Sequence, residues 1–294
     1  MDSHFAAGRD FIYREGRLLE QRLFAARFEG APADGVIDAL RGYRNADGGF
    51  GHGLEPDKRC PASLPIDVET ALQAMATAGA TDRTMVLAAC DYLAMVAAAA
   101  DHGGAVPLAF PVIESYPRAA HWTDWTYAPA LNPTAGLAGL CRKLGAEHPW
   151  VTQASAWCWR QLDGAELPDD AHALSEVLVF LAHSPERDRA EAAAARVRAR
   201  LESAAMYLAD PDAGGYGLSP LTFAPAADSR WRGLFSEEMI QAHLDRMLRG
   251  QQPDGGWPIT WEPPGAAATL EWRGVVTLGA LRTLTSYGRI SSEP

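Results

Sequence analysis

Three short segments of the chain share one design. Asp47-Gly48-Gly49-Phe50, Asp212-Ala213-Gly214-Gly215-Tyr216 and Asp254-Gly255-Gly256-Trp257 each join an aspartate, a glycine pair and an aromatic residue. Asp101-His102-Gly103-Gly104 is a weaker copy and Asp163-Gly164 a shortened one. The second glycines fall at 49, 104, 215 and 256, and Asp163-Gly164 sits near the middle of the widest gap. A recurrence at roughly 40–55 residues marks a repeated supersecondary unit, which buries its apolar face only by stacking on its neighbours. The glycines supply backbone angles that other residues resist. The aromatic offers a large packing surface.

The intervening segments read as helices. Leu72, Met75, Ala76 and Gly79 follow helical spacing, as do Met85, Ala89, Tyr92 and Val96. Leu137, Leu140, Cys141 and Leu144 make another stripe; Leu174, Val177, Leu178 and Leu181, and Val275, Leu278, Leu281 and Leu284, make two more. Strand-like alternation is nearly absent. The Ala-rich, charged stretch from Glu186 to Glu202 suits an outer helix with one solvated face. Asn132-Pro133 and Pro168-Asp169 read as helix starts, a polar cap with a proline.

Helix pairs repeated in this way form an open solenoid or a closed ring. Ala71, Gly136, Ala138, Gly139, Gly279 and Ala280 place small residues on the inner stripes, which lets helices approach closely. No polar capping repeat is visible, and closure is the arrangement that needs none. The expectation is an all-α fold, an α/α toroid built as a double ring of paired helices. One domain is expected over 1–294, with an N-terminal helix region (1–35), repeated helix pairs (36–288) and a short tail (289–294).

Composition narrows the function classes. A net charge of -11 argues against nucleic acid, which needs basic surface, and against anionic membranes. No apolar run approaches the roughly 20 residues that span a bilayer. The first 21 residues carry charges throughout, so neither a transmembrane segment nor a signal peptide is expected, and the cytoplasm is the expected location. Cys60, Cys90, Cys141 and Cys158 show no CxxC pairing and read as small core hydrophobes.

The segment "GQQPDGGW", Gly250 to Trp257, resembles the QW motif of the terpenoid cyclase and protein prenyltransferase superfamily. "GYRNADGGF" and "ADPDAGGYG" resemble it more loosely, lacking the glutamine. The resemblance runs from about residue 40 to about 285. It implies that the glutamine caps helix ends, that the aromatic stacks on the neighbouring repeat, and that long loops line a central cavity. Several catalytic motifs of that superfamily and its structural cousins are missing: DxDD, DDxxD, the prenyltransferase zinc site, the Cys-Gly-Glu-Gln thioester and the lanthionine-cyclase zinc site. "PDDAH", Pro168 to His172, is only a fragment of the first.

Three Pro- and aromatic-rich segments suit the cavity loops: 51–70, 107–134 and 217–238. In the second, Asp124 stands between Trp122 and Trp125, with His121 and Tyr127 close by. An aromatic setting favours the protonated carboxyl, so Asp124 is the first candidate for a general acid. Its plain alternative is a turn cap among packing tryptophans. In the first segment, Glu55 and Asp57 are the other candidate acids, with Lys58 and Arg59 as possible surface partners; His52 lies beside them, and Asp67 and Glu69 open a helix whose dipole suits carboxylates. Substrate contacts are expected from Trp122, Trp125, Tyr127, His52, Phe223, Trp231, Trp261, Trp272 and Glu271. Arg230 and Arg232 flank Trp231 and are candidates for holding an anion.

The resulting expectation is a terpenoid-cyclase-like enzyme that cyclises or isomerises an isoprenoid or other apolar polyene in an aromatic cavity. No resident metal or cofactor is expected, magnesium entering only with a diphosphate substrate. A carbohydrate-active α/α-barrel enzyme and a non-catalytic binding or scaffold toroid are the alternatives. An apolar aromatic pocket with uncharged carboxyls, an open charged groove and a filled centre distinguish the three.

Overall fold

The computed structural model describes residues 2–101, 103–123, 125–164 and 166–292. Those residues are helical throughout their regular structure, and the extended pairings among them are isolated bridges. The helices are α1 (Ser3–Glu15), α2 (Leu18–Phe28), α3 (Asp34–Arg41), α4 (Pro65–Ala78), α5 (Arg83–Ala100) and α6 (Leu131–Lys143). They continue as α7 (Pro149–Leu162), α8 (Ala171–Ala182), α9 (Arg187–Leu201), α10 (Pro220–Phe223), α11 (Glu237–Arg249) and α12 (Ala266–Ser286).

Side chains fix several of the starts. Asp82 accepts a hydrogen bond from the Met85 amide at the head of α5, and Ser236 from the Met239 amide at the head of α11. Asp170 takes the amides of both His172 and Ala173, so α8 begins after Asp170 and not at the Pro168-Asp169 pair that its sequence suggested. Each cap satisfies donors that the first turn leaves open, worth about 1 kcal/mol.

The recurring Asp-Gly segments each follow an odd-numbered helix, from α3 to α11, and each precedes an even-numbered one. Two of them are built alike bond for bond. In the first, the Asn45 amide donates to the Gly49 carbonyl and the Gly49 amide to Asp47 Oδ1. In the last, the Gln252 amide donates to the Gly256 carbonyl and the Gly256 amide to Asp254 Oδ1. Gly48 and Gly255 have φ of 87° and 93°, and each sits against the backbone of an odd-numbered helix, at Ala88 of α5 and Ala7 of α1. Gln251 completes the join: its Nε2 donates to the His4 carbonyl at 2.9 Å and to the Gly255 carbonyl at 2.8 Å, tying the end of α11 to the start of α1. Phe50 and Trp257 are buried, and the Trp257 indole donates to the Met247 carbonyl. Tyr216 departs from this pattern. It is 42% exposed, and the space beside Gly215 is open, so this copy presents its aromatic instead of packing it.

A methyl group at Gly255 would lie 2.2 Å from the Ala7 carbonyl oxygen on a backbone that L-residues resist. Gly255→Ala is therefore expected to lose on the order of 3 kcal/mol, read as the shift in urea midpoint. Gly279→Ala, in α12 with nothing within 4 Å of the added carbon, is expected to be neutral or to gain up to about 1 kcal/mol. Equal losses from the two would show that the turn carries no special constraint.

Even-numbered helices pack on one another in sequence, α2 on α4, α4 on α6, α6 on α8 and α8 on α10. α12 packs back onto α2. The odd-numbered helices pack on one or both flanking even-numbered neighbours. At Gly139 a Cβ would meet the Val179 backbone at 2.7 Å, so α6 and α8 touch through a glycine. Side chains from α2, α4, α6, α8, α10 and α12 together line a cavity of about 690 Å³. No described helix is long and apolar enough to cross a membrane.

Candidate functional site

α4, α8 and α12 run along the cavity from one end toward the other, α6 closes at the far end, and α2 lines the near end with its first half. Glu20, Glu69 and Glu176 line it from the first halves of α2, α4 and α8; Thr77, Lys143, His183 and Arg282 line it from the ends of α4, α6, α8 and α12. Most of the candidate chemistry lies beside the starting end: Asp57, His121, Tyr216 and Trp261 do not line the cavity themselves, and Trp272, which does, joins them to it.

Asp57 is its centre. The segments 57–59 and 117–119 pair as extended backbone, the Ala119 amide donating to the Asp57 carbonyl at 2.7 Å and the Arg59 amide to the Pro117 carbonyl at 2.9 Å. That pairing brings His121 Nε2 to 3.7 Å from Asp57 Oδ2. Asp57 Oδ1 accepts two indole N–H bonds, from Trp261 at 3.1 Å and Trp272 at 2.7 Å. Burial pushes the Asp57 carboxyl up to about 6; Glu55 adds to the rise, while the two indoles and Lys58 oppose it. Because Oδ1 already takes two donors, the proton belongs on Oδ2, facing His121. Burial holds His121 below the ordinary histidine value, which leaves it neutral at pH 7.

An aromatic wall adjoins this carboxyl. Trp272 meets Trp261 edge-on with centroids 5.1 Å apart, and Trp261 meets Tyr216 edge-on at 5.4 Å. Tyr216 stacks on His172 at 5.6 Å, and their polar ends are 2.7 Å apart. The exposed aromatic of the fourth Asp-Gly segment thus stands in the site.

Beneath lies a knot of buried charge. Lys58 is fully buried, its Nζ 2.6 Å from Glu55 Oε2 and 3.4 Å from Asp67 Oδ1. Asp67 does not cap its own helix as expected; its Oδ1 accepts the Glu55 amide at 2.7 Å, while Oδ2 has no partner among the described residues. Burial raises the Asp67 carboxyl to about 6 in spite of Lys58. The Lys58 ammonium is held above its ordinary value, because the two carboxylates outweigh its own desolvation. Arg59 forms a two-pronged bond with Glu271, at 3.1 and 2.8 Å, and Arg17 another with buried Glu20, at 2.9 and 2.7 Å.

Further in, Glu69 of α4 and Glu176 of α8 lie against one another, and burial raises both carboxyls, Glu69 the more strongly because Glu176 faces it; Glu69 Oε1 has no hydrogen-bond partner among the described residues. Two carboxyls that close disfavour ionising together. Gly136 of α6 leaves the room for them: a Cβ there would sit 1.6 Å from Glu176 Oε2 and 2.4 Å from Glu69 Oε1. Gly136→Ala is expected to part the pair while leaving the helices in place, since only flexible side-chain ends are displaced. Raised carboxyl values stabilise the fold at low pH and lose that contribution as pH rises through them. Separated, better-hydrated carboxyls lose less, so the variant's stability should fall less between pH 5 and pH 8 than the wild type's. Parallel curves would show that the pair is not coupled.

The other expected residues are dispersed. Trp122 is buried in a satellite cluster with Cys60, Leu64, Leu108, Ala109, Ile113 and Ala119. Trp125 packs on Trp122 at 4.8 Å, and the Tyr127 hydroxyl donates to Glu114. Asp124 lies outside the described residues. His52 bonds to Asn45 at 2.9 Å. Phe223 and Trp231 line the cavity, the Trp231 indole donating to the Leu178 carbonyl. Arg230 and Arg232 each meet a carboxylate, Glu191 and Glu237 respectively, so neither offers a free charge. Among the described residues no group of three or more His, Cys, Asp or Glu is placed to hold a metal ion.

Sequence reasoning passed over Glu176, His172, Tyr216, Lys143 and Arg282. None of these left a distinguishing trace in the sequence: Tyr216 follows a glycine pair without a glutamine before it, but so does Phe50, which is buried. Compared with known proteins, the chain matches no family model and no curated protein.

Proposed function

We propose that the even-numbered helices are the inner ring of a single α/α toroid, and that the chain is a terpenoid-cyclase-like enzyme working by proton transfer at Asp57. The path of helix contacts, which leaves α2 through α4 and returns to it through α12, supports the ring. The observation that carries the chemistry is the Asp57 carboxyl, raised to about 6 and held by two indole donors at the head of an aromatic wall.

In this reading the Oδ2–H bond of Asp57 breaks as its proton joins one carbon of a substrate double bond. The π pair forms the new C–H bond, and the neighbouring carbon is left cationic. The two indoles favour the ionised Asp57 that remains. Faces of Tyr216, Trp261 and Trp272 stabilise positive charge through their quadrupoles. Ring closure moves the cation along the chain, and loss of a C–H proton to the Asp57 carboxylate restores the acid. Leu19, Leu23, Leu140, Val275 and Leu278 supply the apolar walls.

A carbohydrate-active reading draws on a different observation: Gln73, Ser175 and the Glu69–Glu176 pair give the same cavity polar rows that suit hydroxyl groups. Incubation with linear isoprenoids, free and as diphosphates, with and without magnesium, separates the two when soluble oligosaccharides are run in parallel. A cyclised or isomerised isoprenoid is expected. New reducing ends with untouched isoprenoids would replace the cyclase reading with the carbohydrate one. No turnover of either class would leave a binding toroid.

A further inference from the structure

The far end of the cavity carries cations without acids. Lys143 closes α6 and has no hydrogen-bond or carboxylate partner among the described residues. Among the described residues, Arg282 of α12 makes one hydrogen bond, to the Thr77 hydroxyl at 3.4 Å, and no ion pair. His183 follows the end of α8 and lines the same end. The acids lining the cavity are Glu20, Glu69 and Glu176, all in the opposite half. Lys143 is exposed at the rim of the cavity, while Arg282 and His183 are half-buried. Partial desolvation and mutual repulsion hold all three basic groups low: Lys143 feels Arg282, Arg282 feels Arg27, and His183 feels Lys143 and Arg187. In a chain of net charge -11, with carboxylates to spare, Lys143 and Arg282 line one cavity with no carboxylate partner among the described residues. Helix C-termini favour cations nearby. Yet neither Lys143 nor Arg282 bonds a terminal carbonyl, whereas Arg230 does bond that of Ala182.

We propose that Lys143 and Arg282 form the head-group site for a single-tailed amphiphile bearing a doubly charged phosphate monoester, its tail lying along the apolar middle of the cavity toward Glu69 and Glu176. This rests on the reading of the cavity as the ligand site. Two unpaired cations match a dianion in charge. Arg282 offers a planar fork of donors and Lys143 a point charge, the two modes by which proteins hold phosphate oxygens. His183 stays neutral and offers one N–H more. Seven residues separate Glu176 from His183, and Gly136 from Lys143. At the rise of an α-helix the head site therefore stands on the order of 10 Å from the carboxyl pair. The walls between, Leu140, Leu178, Val179 and Leu278 among them, are apolar.

The test is isothermal titration calorimetry with decyl phosphate, decanoate, decanol and inorganic phosphate, each below its micellar concentration. Wild type is compared with the Lys143→Gln/Arg282→Gln double variant, its fold checked by circular dichroism. Decyl phosphate is expected to bind wild type at least roughly tenfold more tightly than decanol, as charge-assisted hydrogen bonds give. Added salt should erode that preference, and the double variant should lose it while binding decanol as before. Equal binding of decyl phosphate and decanol, or a preference that survives the double substitution, would overturn the head site and leave the cations as helix-end partners. Decanoate bound more tightly than decyl phosphate would overturn the choice of a dianion. Failure of all four probes to bind would overturn the cavity reading together with the head site; decanol binding without a phosphate preference would overturn the head site alone.

Discussion

Lys58→Met is expected to remove about 3–5 kcal/mol of stability. Methionine fills the volume, so the loss comes from charge. The ammonium is fully buried and serves Glu55 and Asp67 at once, and its removal leaves both carboxylates buried without their cation. Asp67 shows the strain: burial holds it at about 6 even with Lys58 present. Without the cation it rises further, and a carboxyl raised above its unfolded value stabilises the fold at low pH and loses that contribution as pH climbs through the folded value. The defect should therefore be larger at pH 8 than at pH 5, measured as the difference in urea midpoints. Glu55→Gln/Lys58→Met/Asp67→Asn, which empties the site of charge, should recover most of the loss. A defect independent of pH, or a triple variant no better than the single one, would show that Lys58 acts through packing.

Asp57→Asn is expected to lower turnover by about 10²–10⁴-fold, the range for removing a positioned acid or base. It should not lower stability at pH 7 to 8. There the wild-type carboxyl is ionised in a site that penalises its charge, and the amide removes that penalty. This split between activity and stability separates a working acid from a structural bond. As a general acid Asp57 is competent while protonated, so the rate should fall as pH rises through about 6. Trp272→Phe sharpens the test. The indole donor at 2.7 Å favours the ionised carboxylate, and its loss should move that limb to higher pH. An unmoved limb, or a rate rising with pH, would remove Asp57 from the role of acid.

Three elements show how far the sequence could be read. The Asp-Gly-Gly turns were legible because their requirement is local: φ near 90° at Gly48 and Gly255, an aspartate taking the second glycine's amide, an aromatic ready to pack. Helix stripes were legible for a similar reason, since spacing alone sets which residues share a face. Glu55 and Asp57 could be singled out as carboxyls in a Pro-rich loop after such a turn. Their states could not. Asp57 meets indoles from residues 261 and 272, and Lys58 meets Asp67 in full burial, so what looked like surface pairing is a buried network. Tyr216 carries the same motif as Phe50 yet faces outward, because no neighbouring backbone closes on Gly215 as Ala88 closes on Gly48.

By itself the sequence determined an all-helical chain, the places where its helices turn, and the segments rich enough in acids and aromatics to hold a site. Periodicity, glycine angles and capping act within a few residues and leave their mark in order along the chain. Which carboxyl is protonated, which cation is left unpaired and which aromatic is presented were decided only by the tertiary structure. Those properties depend on burial and on charges brought together from distant helices. Glu69 and Glu176, 107 positions apart, are pressed together and held above the ordinary carboxylate range because a glycine at 136 leaves them room.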